Sequence, residues 1–269
     1  MQWFSGLNAV AQTFLATIFT WGLTALGAAM TFFVRELTGR ACASMRGFAA
    51  GVMIGAAFWS LLAPAIVMSG RSGGITWVQA VIGFLAGGAF LLVVDKTLPH
   101  LHVGLPPESA EGFQTTWKKS VLRVLSTAVH NVPEGIALGA VFGAAAGGMP
   151  GVSLGGAVAL TVGIGLQNIP EGTCVSVPLR RGGMRSRRAF WYGQMSGAVE
   201  PAVAVIVALF VLVVPSLLAY ALPFAAGAMV FVVIEEVLPD ARLDRHTDLT
   251  ATTALIGFSV MMILALVLR

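Results

Sequence analysis

His130-Asn131-Val132-Pro133-Glu134-Gly135 and Gln167-Asn168-Ile169-Pro170-Glu171-Gly172 are one six-residue pattern, [HQ]-N-[VI]-P-E-G, written twice and 37 positions apart. Each copy lies inside a stretch, 118–146 and 152–179, long enough as a helix to cross a hydrocarbon core about 30 Å thick. Consecutive spans run antiparallel, so the two copies meet at matching depth. Four identities in six positions at that depth are not a chance repeat.

The rest of the chain has the composition such spans require. Of 269 residues, 57% are hydrophobic and only 10% are charged, with a mean hydropathy of +0.87. A soluble domain carries about 25% charged residues. This chain cannot cover a globular surface, and it is not a disordered chain or a disulfide scaffold. Despite a pI near 9.6, it is not a nucleic-acid binder either. Apolar stretches of span length recur at about 8–34, 47–69, 75–95, 118–146, 152–179, 189–214, 216–238 and 249–268. The expected fold is an all-α membrane protein of eight transmembrane helices, forming a single domain over 1–269.

Basic residues set the orientation. Fourteen of the 16 Lys and Arg residues fall in or beside the connections after the first, third, fifth and seventh spans; Arg71 and Arg269 alone fall on the other side. Loops rich in Lys and Arg stay cytoplasmic, so both termini are expected outside. A multi-pass protein of the plasma membrane, the inner membrane in a bacterium, is the expected setting. The start, Met1-Gln2-Trp3-Phe4, lacks a basic n-region, so no cleaved signal peptide is expected. Glycines four apart at 51/55, 83/87, 135/139/143, 151/155 and 193/197 suit close helix approach inside a bilayer. The connection at 96–117 is the one sizeable loop, and its residues assign it no role. Cys42 and Cys174 stand 132 positions apart and form no motif.

Charge inside a span is costly and functional by default. Glu134, Glu171 and Glu200 lie well within spans, unlike the acidic residues at loop edges. His130 and Glu134 are four apart, about 6 Å along the axis and on one helical face; Gln167 and Glu171 repeat that geometry. Asn131 and Asn168 precede their glutamates by three. Pro133 and Pro170 have no N–H, which releases the carbonyls of Val129 and Leu166 and is expected to kink both helices. Carboxylates, imidazole, amides and freed carbonyls are satisfied together by a cation, and this donor set fits a borderline divalent metal better than Na⁺ or K⁺. Two rivals stay open at this point. One is a membrane-embedded metal-dependent hydrolase with Glu as base; the other is a proton- or sodium-coupled carrier of an organic solute. The hydrolase lacks a distinct catalytic pair, so no enzyme is expected. The carrier leaves His130 and both Asn residues unexplained.

These residues resemble the ZIP (Zrt-, Irt-like protein) family of divalent metal transporters, and most closely its bacterial GufA-like branch. The two motif helices look like that family's signature helices, and the likeness covers nearly the whole chain. It implies an inverted repeat of three-helix units around kinked helices four and five, where transporters place their sites. It also implies import into the cytoplasm through a binuclear metal site. His130, Glu134, Gln167 and Glu171 would hold one metal; Asn131, Asn168 and Glu200 would complete the other, with Glu134 and Glu171 bridging. Met53 matches a methionine that contacts metal from the outer side, and Ser60, seven residues on, lines the entrance. Glu235, Glu236 and Asp240 form an acidic end to span seven that guides the leaving ion or, equally, anchors a helix end beside Arg242. The cargo implied is Zn²⁺, with Cd²⁺, Fe²⁺ and Mn²⁺ as competitors; it is substrate, and no cofactor is expected. The partners are divalent ions and the lipid bilayer, with a homodimer as a candidate assembly. This chain departs from the family in carrying Gln167 and Asn168 where some relatives have His or Asp, and its loop has only Pro99-His100-Leu101-His102 in place of a His-rich run.

Overall fold

A computed structural model describes residues 2–71, 76–99, 113, 119–237 and 246–268. Helix α1 runs Ala9–Ala29 and tightens into a 3-10 turn, Met30–Phe32. Helix α2 begins as Gly39–Gly55, widens into a π-helical stretch at Ala56–Leu62 and continues as Ala63–Arg71. Then come α3 (Thr76–Thr97), α4 (Lys119–Ala146) and α5 (Leu154–Arg181). Helix α6 comprises Ser186–Met195, a 3-10 turn Ser196–Ala198 and Val199–Val213. Helix α7 (Leu218–Val232) runs on into a second π-helical stretch, Val233–Val237, and α8 is Thr247–Val267.

Local chemistry fixes several of these ends. Asn8, Thr38 and Ser153 each accept a hydrogen bond from the backbone N–H three residues on, at 2.9, 3.2 and 2.9 Å, satisfying donors that the first turn leaves without partners. Thr38 starts α2 at Gly39, eight residues before the expected start at 47. Arg40 and Arg46 therefore sit inside the helix rather than in a loop, because the cap and an alanine-rich turn outweigh the drop in hydropathy. Helix α5 stops at Gly182, with Gly183 at φ 92° beyond it. Gly151 is not inside a span as expected; it turns the chain between α4 and α5 at φ 81°.

By length and composition, six helical stretches among the described residues can cross a membrane: Ala9–Phe32, Gly39–Val67, Trp77–Thr97, Ser186–Val213, Leu218–Glu235 and Thr247–Val267. Helices α4 and α5 are as long, but their motif residues lower their hydropathy. They do not need apolar surfaces all round, because other helices cover them. The most extensive contacts pair α1 with α5, α4 with α6, α2 with α8, and α3 with α7. Each pair closes backbone to backbone over glycine. A Cβ on Gly27 would collide with the Ile169 carbonyl, and one on Gly172 with the Thr24 carbonyl. Gly51 and Gly257 do the same between α2 and α8, Gly87 and Gly227 between α3 and α7, and Gly139 between α4 and α6. Without a hydrophobic force between helices in lipid, such close approach is what holds them.

Candidate metal centre

The duplicated motif is assembled as two facing surfaces. Helices α4 and α5 run unbroken through Pro133 and Pro170, and they touch each other directly. From α4 come His130, Asn131 and Glu134, all buried; from α5 come the buried Gln167 and Asn168 and the half-buried Glu171; from α6 comes Glu200, fully buried. The carboxyl groups of Glu171 and Glu200 are neighbours of Glu134.

Hydrogen bonds orient these groups. Gln167 Nε2 donates to Glu134 Oε1 at 2.5 Å, and Asn131 Nδ2 donates to the Ser196 carbonyl at 3.0 Å, in the 3-10 turn of α6. Asn168 Nδ2 donates to Glu200 Oε2 at 3.0 Å and to the Thr20 carbonyl at 3.3 Å. The other oxygen of Glu200 accepts the Thr20 hydroxyl proton at 2.5 Å.

What remains is one-sided. Asn131 Oδ1, Glu134 Oε2, Gln167 Oε1 and Asn168 Oδ1 are buried without a hydrogen bond. Every side-chain amide nitrogen in the motif is engaged with protein, and the atoms left over in the motif are oxygens. A buried acceptor with no partner costs about 1–3 kcal/mol, and only a donor or a cation relieves it. Among the described residues no three His, Cys, Asp or Glu side chains form a ligand group by themselves. Any metal held here would have to draw on carboxamide oxygens as well as carboxylates, among them those of Gln167 and Asn168. Oxygen-rich coordination with one imidazole at hand suits a divalent ion.

The outlying candidates differ. Met53 is buried in the main apolar cluster, to which all eight helices contribute. Ser60 lies beyond the start of the π-helical stretch, so its seven-residue spacing from Met53 no longer makes two α-turns; it lines a cleft with Trp59, Pro64, Val141, Ser153 and Ala265 at the α4–α5 turn. Glu235 is half-buried in the π-helical end of α7. The Glu236 side chain, Asp240 and most of 96–117 lie outside the described residues. Cys42 and Cys174 come together across α2 and α5, neither in a disulfide.

Thr20 was missed, although its signal is present in the sequence. Thr13, Thr17, Thr20, Thr24 and Thr31 put buried hydroxyls along α1 at spacings of three, four and seven, a polar stripe in an otherwise apolar span.

Comparison with known proteins identifies the family. The family model described as "ZIP Zinc transporter" matches residues 108–265. The chain is 35% identical to zinc transporter ZIP11 of Bos taurus, over 96% of this chain and 97% of that protein. It is 34% identical to zinc transporter GufA of Myxococcus xanthus, over 94% and 96%, and 32% identical to zinc transporter ZupT of Corynebacterium glutamicum, over 94% and 97%. A polytopic helical chain whose two N-P-E-G helices enclose a buried nest of acceptor oxygens, and which these proteins match end to end, belongs to the ZIP family of metal transporters.

Proposed function

We propose that this chain imports a divalent metal ion, zinc foremost, from outside into the cytoplasm by alternating access through a binuclear site within the membrane. The observation that carries this reading is the nest of buried oxygens on the two motif helices. A dehydrated divalent ion gives those oxygens their partner and has its charge offset by carboxylates. One metal position comprises His130, Glu134, Gln167 and Glu171; the other comprises Asn131, Asn168 and Glu200, with Glu134 and Glu171 bridging. Met53 meets the ion from the outer side, Ser60 lines its entry, and Glu235, Glu236 and Asp240 receive it at the cytoplasmic end.

Eight spans and outward termini follow from the basic residues, which gather at one end of the helices. The inverted repeat is supported by the helix pairing. Exchanging α1 with α6, α2 with α7, α3 with α8, and α4 with α5 turns the α1–α5 pair into α6–α4 and the α2–α8 pair into α7–α3, the four most extensive contacts. The π-helical stretches fall on α2 and α7, which that exchange also relates.

Uptake of radioactive zinc into proteoliposomes tests the function, with Cd²⁺, Fe²⁺ and Mn²⁺ as competitors. Zinc is expected to accumulate and the competitors to slow it. Proteoliposomes that move a proton or an organic solute but no divalent ion would overturn the reading.

A further inference from the structure

We propose that Thr20, on α1 and outside both motifs, is a positioning residue that holds Glu200 and Asn168 in their ligating arrangement. This rests on the reading of Asn131, Asn168 and Glu200 as one of two metal positions.

Thr20 grips both residues at once. Its hydroxyl donates to Glu200 Oε1 at 2.5 Å, and its carbonyl accepts from Asn168 Nδ2 at 3.3 Å. Asn168 Nδ2 closes the triangle on Glu200 Oε2 at 3.0 Å. All three residues are fully buried, so water does not substitute for any of these bonds. The triangle also settles which way the Asn168 carboxamide faces. With its nitrogen held by two acceptors, the amide presents Oδ1, the atom left without a hydrogen bond. Each oxygen of Glu200 accepts one donor and keeps a lone pair for a further partner.

Thr20 differs from its neighbours in the hydroxyl stripe. Thr13 and Thr17 turn their hydroxyls back to the carbonyls four residues earlier, at 2.7 and 2.8 Å, the ordinary use of threonine inside a helix. The Thr20 hydroxyl is 3.0 Å from the Thr17 carbonyl, yet its shorter contact is to the carboxylate of another helix. Nor is α1 free to retreat, since Gly27 and Gly172 bring it against α5 with no room for a Cβ. The sequence thus sets a hydroxyl donor at fixed height beside Glu200. Outer partners of this kind orient metal ligands, and losing one costs about 10–100-fold in metal affinity.

The test is zinc titration of the full chain in detergent by calorimetry, with elemental counting of bound metal. Thr20→Val removes the hydroxyl and keeps the shape. One of the two zinc equivalents is expected to weaken by about 10–100-fold, the other to stay as in wild type, and Thr20→Ser to restore both. Thr20→Ala carries the same expectation should valine disturb the packing. Two unchanged equivalents in Thr20→Val and Thr20→Ala overturn the proposal, as does a Thr20→Ser variant as weak as Thr20→Val, which would make the methyl group the important part. Wild-type chain that binds no zinc, or Glu134→Ala that binds it like wild type, overturns the site reading and this proposal with it.

Discussion

Gln167 of the second motif donates to Glu134 of the first at 2.5 Å, so the carboxylate of the first copy is oriented by the neighbouring helix and not by its own. The bond uses one oxygen of Glu134 and leaves Oε2, together with Gln167 Oε1, facing no hydrogen-bond donor. In the proposed site, a carboxylate aimed in this way would be oriented for a cation before the cation arrives.

Glu134→Ala and Glu171→Ala are expected to reduce zinc uptake in proteoliposomes by more than about 100-fold while the protein still folds. In the proposed site both carboxylates bridge the metals, and removing one would leave metal charge uncompensated in a low-dielectric centre, a penalty of at least several kcal/mol. Uptake at the wild-type rate in either variant would remove both residues from the site.

Zinc affinity is expected to rise with pH over the range from about 5 to 8, where histidine and perturbed groups titrate. Metal and protons compete for the same carboxylates and imidazole, so binding displaces protons; lowering the pH therefore weakens binding. Calorimetry in buffers of different ionisation enthalpy reads the protons released. A binding constant that is flat across that range, with no proton release, contradicts this donor set.

Glu200→Gln is expected to lower the number of zinc ions bound per chain and to retain measurable transport. Glu200 belongs to one of the two proposed positions, and Glu134 and Glu171 still hold a metal beside His130. Elemental analysis paired with flux decides it. A variant as inactive as Glu134→Ala, with folding intact, means that the two positions do not separate.

Gly51→Leu is expected to destabilise the folded chain by about 1–3 kcal/mol or more, read as a lower melting temperature. Its side chain would drive into the Ala254 carbonyl and the Phe258 amide of α8. Gly22→Ala is the control, because a Cβ there meets nothing within 4 Å. Equal melting temperatures for the two variants would mean that the α2–α8 contact bears no part of the stability.

The helical spans and the motif were legible because both are local. Hydropathy marks a span, and His130 to Glu134 is a single helical turn. The less legible features depend on neighbours. The start of α2 was hidden because Arg40 and Arg46 break the apolar run, while the Thr38 cap that decides it is one side chain. The π-helical turn between Met53 and Ser60 changes the face on which the second residue lies, and its one visible marker is Pro64 just beyond it. Cys42 and Cys174 meet only because α2 crosses α5. The threonine stripe marks a polar face of α1, but the partner of Thr20 lies 180 positions away and is not given by that spacing.

The bonds that join Thr20 to Glu200, Asn168 to Thr20, Gln167 to Glu134, and Asn131 to the Ser196 carbonyl stitch α1, α4, α5 and α6 together. Energetically, substitutions within that web are not independent. A double-mutant cycle on Thr20→Val and Asn168→Ala is expected to return a coupling energy of about 0.5–3 kcal/mol in stability, because both act on the same buried carboxylate. Thr20→Val combined with Gly51→Ala, which strikes the separate α2–α8 seam, is expected to give effects that sum. Tolerance to mutation in this chain is thus partitioned by which helices share polar bonds, not by distance along the sequence.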